Sequence, residues 1–302
     1  MSRAAKEPRT TELRLRSSRH LDRMSSLAIV RLMNREDRKV ILAVQRELHS
    51  IARAVDAVVS AIENGGRLIY VGAGTSGRLA VLDAAECPPT FGTSPNLVVA
   101  LIAGGQRAIT SAVEGAEDSP ANGARDLRHI NLTARDVVVG IAASGSTPYV
   151  LGALKFARKI DATTVALTSN RRTPLARLAQ IVIAPQVGPE ILTGSTRLKA
   201  GTSQKMVLNM LSTAGMVRLG HVYENLMIDV ALTNKKLSGR ALRILTEASG
   251  KDLSAARHAL RQSQHHLRTA LVMLKRGVNA HQASRHIARA NGNLQLALQS
   301  RG

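Results

Sequence analysis

Two segments of this 302-residue chain combine glycine with hydroxyl side chains, a composition suited to holding phosphate. The first, GAGTSG, occupies residues 72–77 after an apolar segment of β type, and we call it the first hydroxyl turn. Its spacing satisfies the dinucleotide fingerprint GxGxxG, but it also sets Gly74 beside the hydroxyls of Thr75 and Ser76. A dinucleotide site needs an acidic residue about 20 residues further on. The next strand ends near Gln106 without an acidic residue at that place, and this absence argues against NAD.

The second segment, SGST, follows the third apolar run, and we call it the second hydroxyl turn. It contains Ser144, Gly145, Ser146 and Thr147. Two such turns at neighbouring strand ends can surround a terminal phosphate with O–H and N–H donors. The pair therefore favours a phosphate monoester over a bridging pyrophosphate. The alternative is that these hydroxyls only cap helices, which would explain either turn alone.

Carboxylates near these turns could supply acid and base chemistry. Glu86 stands at the end of the helix predicted after the first hydroxyl turn, before Cys87-Pro88-Pro89. Three more acids follow the second strand, namely Glu114, Glu117 and Asp118. Two carboxylates on separate segments can divide the acid and base roles if burial or mutual repulsion raises the pKa of one. The alternative is that they are ordinary acids at helix ends.

Five short apolar runs, separated by segments of helix length, predict the elements that position these residues. The runs are RLIYVG, NLVVALIAGG, DVVVGIAAS, TTVALTS and QIVIAP. Apolar strands alternating with helices predict an α/β fold, a doubly wound parallel sheet of five strands covered on both faces. Ligands of such sheets bind beyond the carboxyl ends of the strands, where both hydroxyl turns fall.

Helices are predicted both before and after the five strands in the sequence. Apolar residues recur every three or four positions over 21–64 and stop at Gly65-Gly66. A long helical pattern, LKAGTSQKMVLNMLSTAGMVRLG, follows the fifth strand, and its broad apolar face can pack on the sheet and on a second subunit. From about residue 240 the pattern is wholly helical.

Composition limits the partners and the location. The formal net charge is +21, but the excess of basic side chains is concentrated in one segment, residues 240–302, which has 11 basic and 2 acidic side chains. Aromatic residues are 2% of the chain, so bases would find little to stack on, which argues against a nucleic-acid partner. No apolar run approaches the roughly 20 residues that span a bilayer, and the N-terminus shows no apolar signal-peptide core. With one cysteine, Cys87, a cytoplasmic location is expected.

Several longer segments together resemble one protein family. They include GRLIYVGAGTSGRLAVLDAAECPPTFG, AVEGAED, VVVGIAASG, GSTRLKAGT and NLMIDV. Over essentially the whole chain, the sequence is similar to the N-acetylmuramic acid 6-phosphate etherases, which carry a sugar isomerase (SIS) domain. It is also similar to the glucokinase regulatory protein, which binds fructose phosphates without catalysis.

The etherase resemblance implies cleavage of the D-lactyl ether of N-acetylmuramic acid 6-phosphate to N-acetylglucosamine 6-phosphate and D-lactate, in cell-wall recycling. It implies that Glu86 is the proton donor and Glu117 a second active-site glutamate. No metal or other cofactor is implied. The family builds its site at a subunit interface, so a homodimer is expected. The rival hypothesis is a non-catalytic regulator that binds a phosphosugar.

The resemblance also implies substrate and phosphate contacts, at Gly74, Thr75, Ser76, Arg78, Ser144, Gly145, Ser146, Thr147, Glu190, Arg197 and Lys199. The chain departs from the family at Ser146, where arginine is common, and at Leu15, where asparagine is usual. Its implied division is an N-terminal helical segment at 1–59, an SIS phosphosugar-binding domain at 60–223, and a C-terminal linker and small helical, UBA-like domain at 224–302.

Overall fold

The computed structural model describes residues 10–230, 235–290 and 292–299, which form two compact units. The first unit extends to Ala84 and resumes from Asn96 to Ser212, while the second contains Ala85–Pro95 and begins again at Thr213. The division at residues 59/60 and 223/224 stays a prediction. Within the described ranges, no helix combines the length and the apolar character needed to cross a bilayer.

The first unit is built on the predicted five-stranded parallel sheet, which is confirmed. Its strands are β1 (Leu68–Gly72), β2 (Val98–Ile102), β3 (Val137–Ile141), β4 (Thr163–Leu167) and β5 (Ile181–Ile183). The spatial order is β2-β1-β3-β4-β5, with every neighbouring pair parallel. All residues of β1 and β3 are buried, which explains why these strands read as continuous apolar runs.

The strand order reverses direction between β1 and β3. From β1 the chain passes outward to β2, and it then returns to place β3 on the other side of β1. Gly72 pairs with both Ile102 and Ile141, so the carboxyl ends of these strands are level. In doubly wound sheets, the crevice at such a reversal is where ligands bind.

Helices and short 3-10 turns flank the sheet in the first unit. The helices are α1 (Ser26–Gln45), α2 (Leu48–Glu63), α3 (Gly74–Phe91), α4 (Arg107–Thr110), α5 (Pro120–His129), α6 (Pro148–Lys159), α7 (Pro174–Leu178) and α8 (Lys199–Arg218). The 3-10 turns are Thr10–Glu12, Arg16–Ser18, Leu21–Arg23 and Ala116–Asp118. The helices predicted over 21–64 are confirmed as α1 and α2, and the long pattern after β5 is confirmed as α8.

A buried carboxylate joins three elements of this unit. Asp83 of α3 accepts hydrogen bonds from the hydroxyl of Tyr70 on β1 at 2.9 Å and from Asn209 Nδ2 on α8 at 2.7 Å. Ser212 Oγ donates a further bond at 3.1 Å. A buried charge is tolerated when several donors satisfy it, so Asp83 fixes α3 and α8 against the sheet.

The end of α3 corrects one prediction. We expected this helix to stop at Glu86, before two prolines, but it continues to Phe91. A proline inside a helix removes a backbone hydrogen bond, yet burial of Cys87 and Phe91 stabilises this last turn. Gly92 then ends the helix, since its N–H donates to the carbonyl of Pro88 at 2.9 Å and its φ of +63° turns the following chain out of the helix.

The second unit is mostly helical, as predicted. A two-stranded hairpin of β6 (Val222–Tyr223) and β7 (Leu226–Met227) precedes α9 (Lys235–Ser249), α10 (Leu253–Gln262), α11 (Leu267–Arg276), α12 (Ala280–Arg289) and α13 (Leu294–Gln299). Their apolar faces share one buried core. Asp229 is its polar anchor, accepting from Arg268 Nε at 2.8 Å and lying 2.8 Å from His221 Nδ1.

Candidate functional site

The first hydroxyl turn connects β1 directly to α3. Because α3 begins at Gly74, Thr75 and Ser76 lie in its first turn, where backbone N–H groups have no partner within the helix. Ser76 is only 9% exposed, and its hydroxyl donates to Gln204 Oε1 at 3.0 Å. A Cβ at Gly77 would lie 2.5 Å from Ile102 Cγ1, so this glycine is required for α3 to approach β2 so closely.

The second hydroxyl turn connects β3 to α6. Ser146 Oγ donates to Ser144 Oγ at 3.2 Å, and both side chains are half-buried. Gly145 has φ +67°, and a Cβ there would lie 2.5 Å from the side chain of Thr173. Thr147 precedes the first residue of α6, but its side chain makes no capping hydrogen bond to that helix. Helix capping therefore does not account for its hydroxyl.

The two hydroxyl turns lie at neighbouring strand ends, since β1 and β3 pair directly at the reversal of strand order. This position combines four polar side chains from two helix starts, those of Thr75, Ser76, Ser144 and Ser146. Together with N–H groups at the start of α3, they place at one edge of the sheet the hydroxyl and amide groups that phosphate oxygens bind.

Arg78 holds a neighbouring segment rather than pointing freely into solvent. Its Nε donates to the carbonyl of Ile109 at 2.9 Å, and its terminal nitrogen donates to that of Ser111 at 3.2 Å. The guanidinium therefore ties α3 to the chain around α4. Arg197, in the loop before α8, is exposed. The assignment of both as substrate contacts stays a prediction.

Lys199 and Glu190 are buried at the start of α8. Lys199 Nζ lies 2.8 Å from Glu36 Oε2 on α1, and these side chains are 1% and 3% exposed. Glu190 accepts from the backbone N–H of Lys199 at 3.1 Å and of Ala200 at 2.9 Å. Burial raises the pKa of Glu190, and these two bonds offset only part of that effect. Both side chains stabilise the first turn of α8, and their substrate contacts stay a prediction.

The two glutamates of the predicted chemistry are both exposed. Glu86 lies near the end of α3, in the part of that helix that belongs to the second unit. Glu117 lies in the 3-10 turn Ala116–Asp118 of the first unit. Glu114 and Asp118 beside it are exposed as well. The acid and base roles of this pair stay predictions.

Sequence reasoning missed two polar side chains, one that contacts the first hydroxyl turn and one that contacts the residue before the second. Gln204, on α8, accepts from Ser76. Asn170 accepts from both the backbone N–H and the hydroxyl of Thr10, at 3.0 and 2.9 Å, and donates to the carbonyl of Ala143 at 3.0 Å. It thereby links the N-terminal 3-10 turn to Ala143, the residue before the second hydroxyl turn. Gln204 lies 128 residues from Ser76 in the sequence, and Asn170 lies 160 residues from Thr10. Neither side chain carries a local sequence signal.

Comparison with known proteins assigns the family. The chain is 54% identical over 288 residues to an N-acetylmuramic acid 6-phosphate etherase from Yersinia pestis (strain Pestoides F), covering 95% of this chain and 98% of the relative. A protein of the same name from Yersinia pseudotuberculosis (strain IP 31758) matches equally. The chain belongs to this etherase family. The resemblance read from the sequence is therefore confirmed.

Domain-level comparisons agree with membership of the etherase family. Residues 50–158 match the N-terminal SIS domain of glucokinase regulatory protein, 116–214 match the SIS domain, and 224–296 match the C-terminal lid domain of glucokinase regulatory protein. A solved phosphoheptose isomerase from Francisella tularensis is 20% identical with a TM-score of 0.50, covering 65% of this chain and all of that one. These likenesses confirm the SIS-type fold.

Proposed function

We propose that this chain is a carbon–oxygen lyase that cleaves the D-lactyl ether of N-acetylmuramic acid 6-phosphate. Its products would be N-acetylglucosamine 6-phosphate and D-lactate, in the recycling of peptidoglycan amino sugars. The observation that carries the proposal is the 54% identity, over 95% of the chain, to proteins that bear the name of this etherase. A cytoplasmic location belongs to the same proposal and is supported by the single cysteine.

The reaction needs an acid and a base because an ether oxygen is a poor leaving group. We assign Glu117 as the base that removes the proton from C2 of the open-chain sugar. Glu86 is the acid that protonates the ether oxygen on C3 as that C–O bond breaks and lactate leaves with the bonding electrons. Water then adds across the resulting C2–C3 double bond, which restores the hydroxyl at C3. Proton transfer by two carboxylates is sufficient chemistry for both steps.

The phosphate of the substrate is assigned to the two hydroxyl turns. Ser76 and Ser144 are its central contacts, with Thr75, Ser146 and Thr147 around them. Support comes from the position of both turns at the reversal of strand order and from the density of O–H and N–H donors there. A monoester phosphate presents three terminal oxygens to such donors, whereas a pyrophosphate within a dinucleotide presents two per phosphorus.

The test is to incubate the purified chain with N-acetylmuramic acid 6-phosphate and to assay D-lactate. Glu86→Gln should keep binding of the phosphosugar but lower the rate by about 10²- to 10⁴-fold, the usual loss when a general acid is removed. Glu63→Gln, at the exposed end of α2, is the matched control and should leave the rate unchanged. Turnover by Glu86→Gln at the wild-type rate would remove Glu86 from the acid role.

A second candidate function is a phosphosugar-binding regulator without catalysis. The observation that favours it is the match of residues 50–158 and 224–296 to domains of glucokinase regulatory protein. The same incubation separates the two functions. If no D-lactate forms while the phosphosugar raises the melting temperature, the regulator hypothesis replaces the etherase.

A homodimer is also part of the proposal. Support comes from α1, which exposes more than half of each of four apolar side chains, those of Leu27, Val30, Ile41 and Leu42. Exposed apolar side chains along one helix favour a protein partner, and we assign a second copy of this chain. Analytical ultracentrifugation should give a dimer for the wild type and a monomer for Val30→Glu/Ile41→Glu. A monomeric wild type would reject the dimer.

A further inference from the structure

The start of α8 packs against the first hydroxyl turn. A Cβ placed on Gly201 would lie 3.5 Å from Cγ2 of Thr75, so the two segments touch at that point. One turn further along α8, Gln204 is 2% exposed, and its Oε1 accepts a hydrogen bond from Ser76 Oγ at 3.0 Å. The side chain of Gln204 therefore contacts a residue to which we assign phosphate binding.

The other end of this amide is unpaired. Nε2 of Gln204 is buried and has no hydrogen-bond partner in the part of the chain that the structure describes. An unpaired buried amide donor is costly, and native proteins rarely keep one unless a ligand or a water molecule completes the site. The unpaired Nε2 therefore indicates a role that depends on a ligand.

The chemistry of the serine hydroxyl defines this role. A hydroxyl has one hydrogen to donate. When that hydrogen points at Gln204 Oε1, Ser76 presents only lone pairs to a phosphate oxygen, and the two repel each other. If the amide of Gln204 turns over about its last bond, Nε2 takes the place of Oε1 and donates to Ser76 Oγ. The hydrogen of Ser76 is then available to the phosphate.

We propose that Gln204 is a positioning residue for the phosphate monoester, and that its amide turns over on binding to direct the hydroxyl hydrogen of Ser76 at a phosphate oxygen. The inference rests on the proposed function, because it takes the first hydroxyl turn as the phosphate site. One hydrogen bond joins Gln204 to Ser76 in either orientation, and one end of the amide is unpaired in either, because Oε1 takes the place that Nε2 leaves. A hydrogen bond to a charged group is gained.

A double-mutant cycle in the full chain tests the inference, with N-acetylglucosamine 6-phosphate as the calorimetric probe. Ser76→Ala should weaken binding about 10- to 100-fold, the loss typical of one hydrogen bond to a charged group, and Gln204→Met about 3- to 10-fold, because it removes only the neutral hydrogen bond that orients the hydroxyl of Ser76. Because Gln204 acts through Ser76, the double variant should bind no more weakly than Ser76→Ala alone. Ser203→Ala is the matched control, since the buried hydroxyl of Ser203 donates within α8, to the carbonyl of Ala200 at 2.7 Å.

Gln204→Glu separates positioning from packing, because it preserves the size of the side chain. An ionised carboxylate can only accept, so it holds the hydrogen of Ser76 away from the ligand, whereas the protonated form can donate to Ser76. Relative to the wild type at the same pH, this variant should lose affinity for the probe as the introduced carboxyl group ionises. Binding of unphosphorylated N-acetylglucosamine should be the same in all variants.

Three outcomes would overturn the inference. Wild-type affinity in Gln204→Met would do so, as would fully additive losses in the double variant, because Gln204 would then act independently of Ser76. If the wild type neither binds the probe nor releases D-lactate, the proposed function fails together with this inference. If the wild type and Ser76→Ala behave as expected and only the Gln204 variants do not, the inference alone is wrong.

Discussion

Lys199→Met should destabilise the protein by about 3 kcal/mol, because it leaves a buried carboxylate without its buried partner. Lys199 and Glu36 form an ion pair at 2.8 Å with side chains 1% and 3% exposed. Removing one member of such a pair commonly costs about 3–5 kcal/mol, since the other charge stays buried. Lys39 still contacts Glu36 at 2.7 Å, but Lys39 is 55% exposed and water weakens its attraction. This remaining partner sets the expected loss at the lower end of the range.

The loss should also depend on pH. Burial raises the pKa of Glu36, but hydrogen bonds from Lys199 and Lys39 outweigh it and hold the pKa below its ordinary range. A carboxyl group with a lowered folded-state pKa adds stability that is complete above its unfolded-state pKa, and that stability is lost as pH falls through the folded-state pKa. Since Lys199→Met removes the larger part of this contribution, the difference from wild type should shrink below about pH 4.

Urea unfolding followed by circular dichroism measures both effects, at about pH 7 and about pH 4. Lys205→Met is the matched control, since Lys205 is an exposed lysine of the same helix, and it should change the free energy of unfolding by less than about 0.5 kcal/mol. Glu36→Gln/Lys199→Met should recover part of the loss because it removes both charges. Equal stability of Lys199→Met and Lys205→Met, or a loss independent of pH, would refute this account of the pair.

Gly145→Ala should destabilise the protein by about 2 kcal/mol or more, since it combines a φ of +67° with a Cβ 2.5 Å from Thr173. Thermal melting measures this loss. Gly239→Ala is the control, because a Cβ there meets nothing within 4 Å. Equal melting temperatures of the two variants would contradict the prediction. Asn170→Ala should raise the KM for the phosphosugar more than it lowers kcat, because it removes the link between the N-terminal 3-10 turn and Ala143, the residue before the second hydroxyl turn; an unchanged KM would exclude this role. Ser146→Arg should tighten phosphosugar binding about tenfold, as a guanidinium can bind phosphate at two oxygens, and weaker binding in calorimetry would show the space already filled.

The sheet could be predicted from the sequence because its physics is local. A parallel strand covered on both faces must be apolar at every position, so five apolar runs separated by helix-length segments predict its elements without knowledge of their contacts. The hydroxyl turns follow from the same reasoning, since parallel strands bring their carboxyl ends to one edge. The predicted end of α3 was wrong. Two prolines favour a stop at Glu86, but burial of Cys87 and Phe91 stabilises a further turn, and no local sequence pattern reports that burial.

The start of α8 shows why the rest of the candidate site could not be predicted. In the sequence, LKAGTSQK is the start of a helix, and only Lys199 within it is assigned as a substrate contact. The partners of Lys199 and Gln204 lie far away in the chain, Glu36 at 163 residues from Lys199 and Ser76 at 128 residues from Gln204. Which side chain meets which depends on the rotation of α8 against its neighbours, and that rotation is set by packing. Because Lys199 faces α1 and Gln204 faces the first hydroxyl turn, substitutions at these two positions should affect different properties of the protein. Lys199 variants should change the free energy of unfolding, whereas Gln204 variants should change phosphosugar affinity.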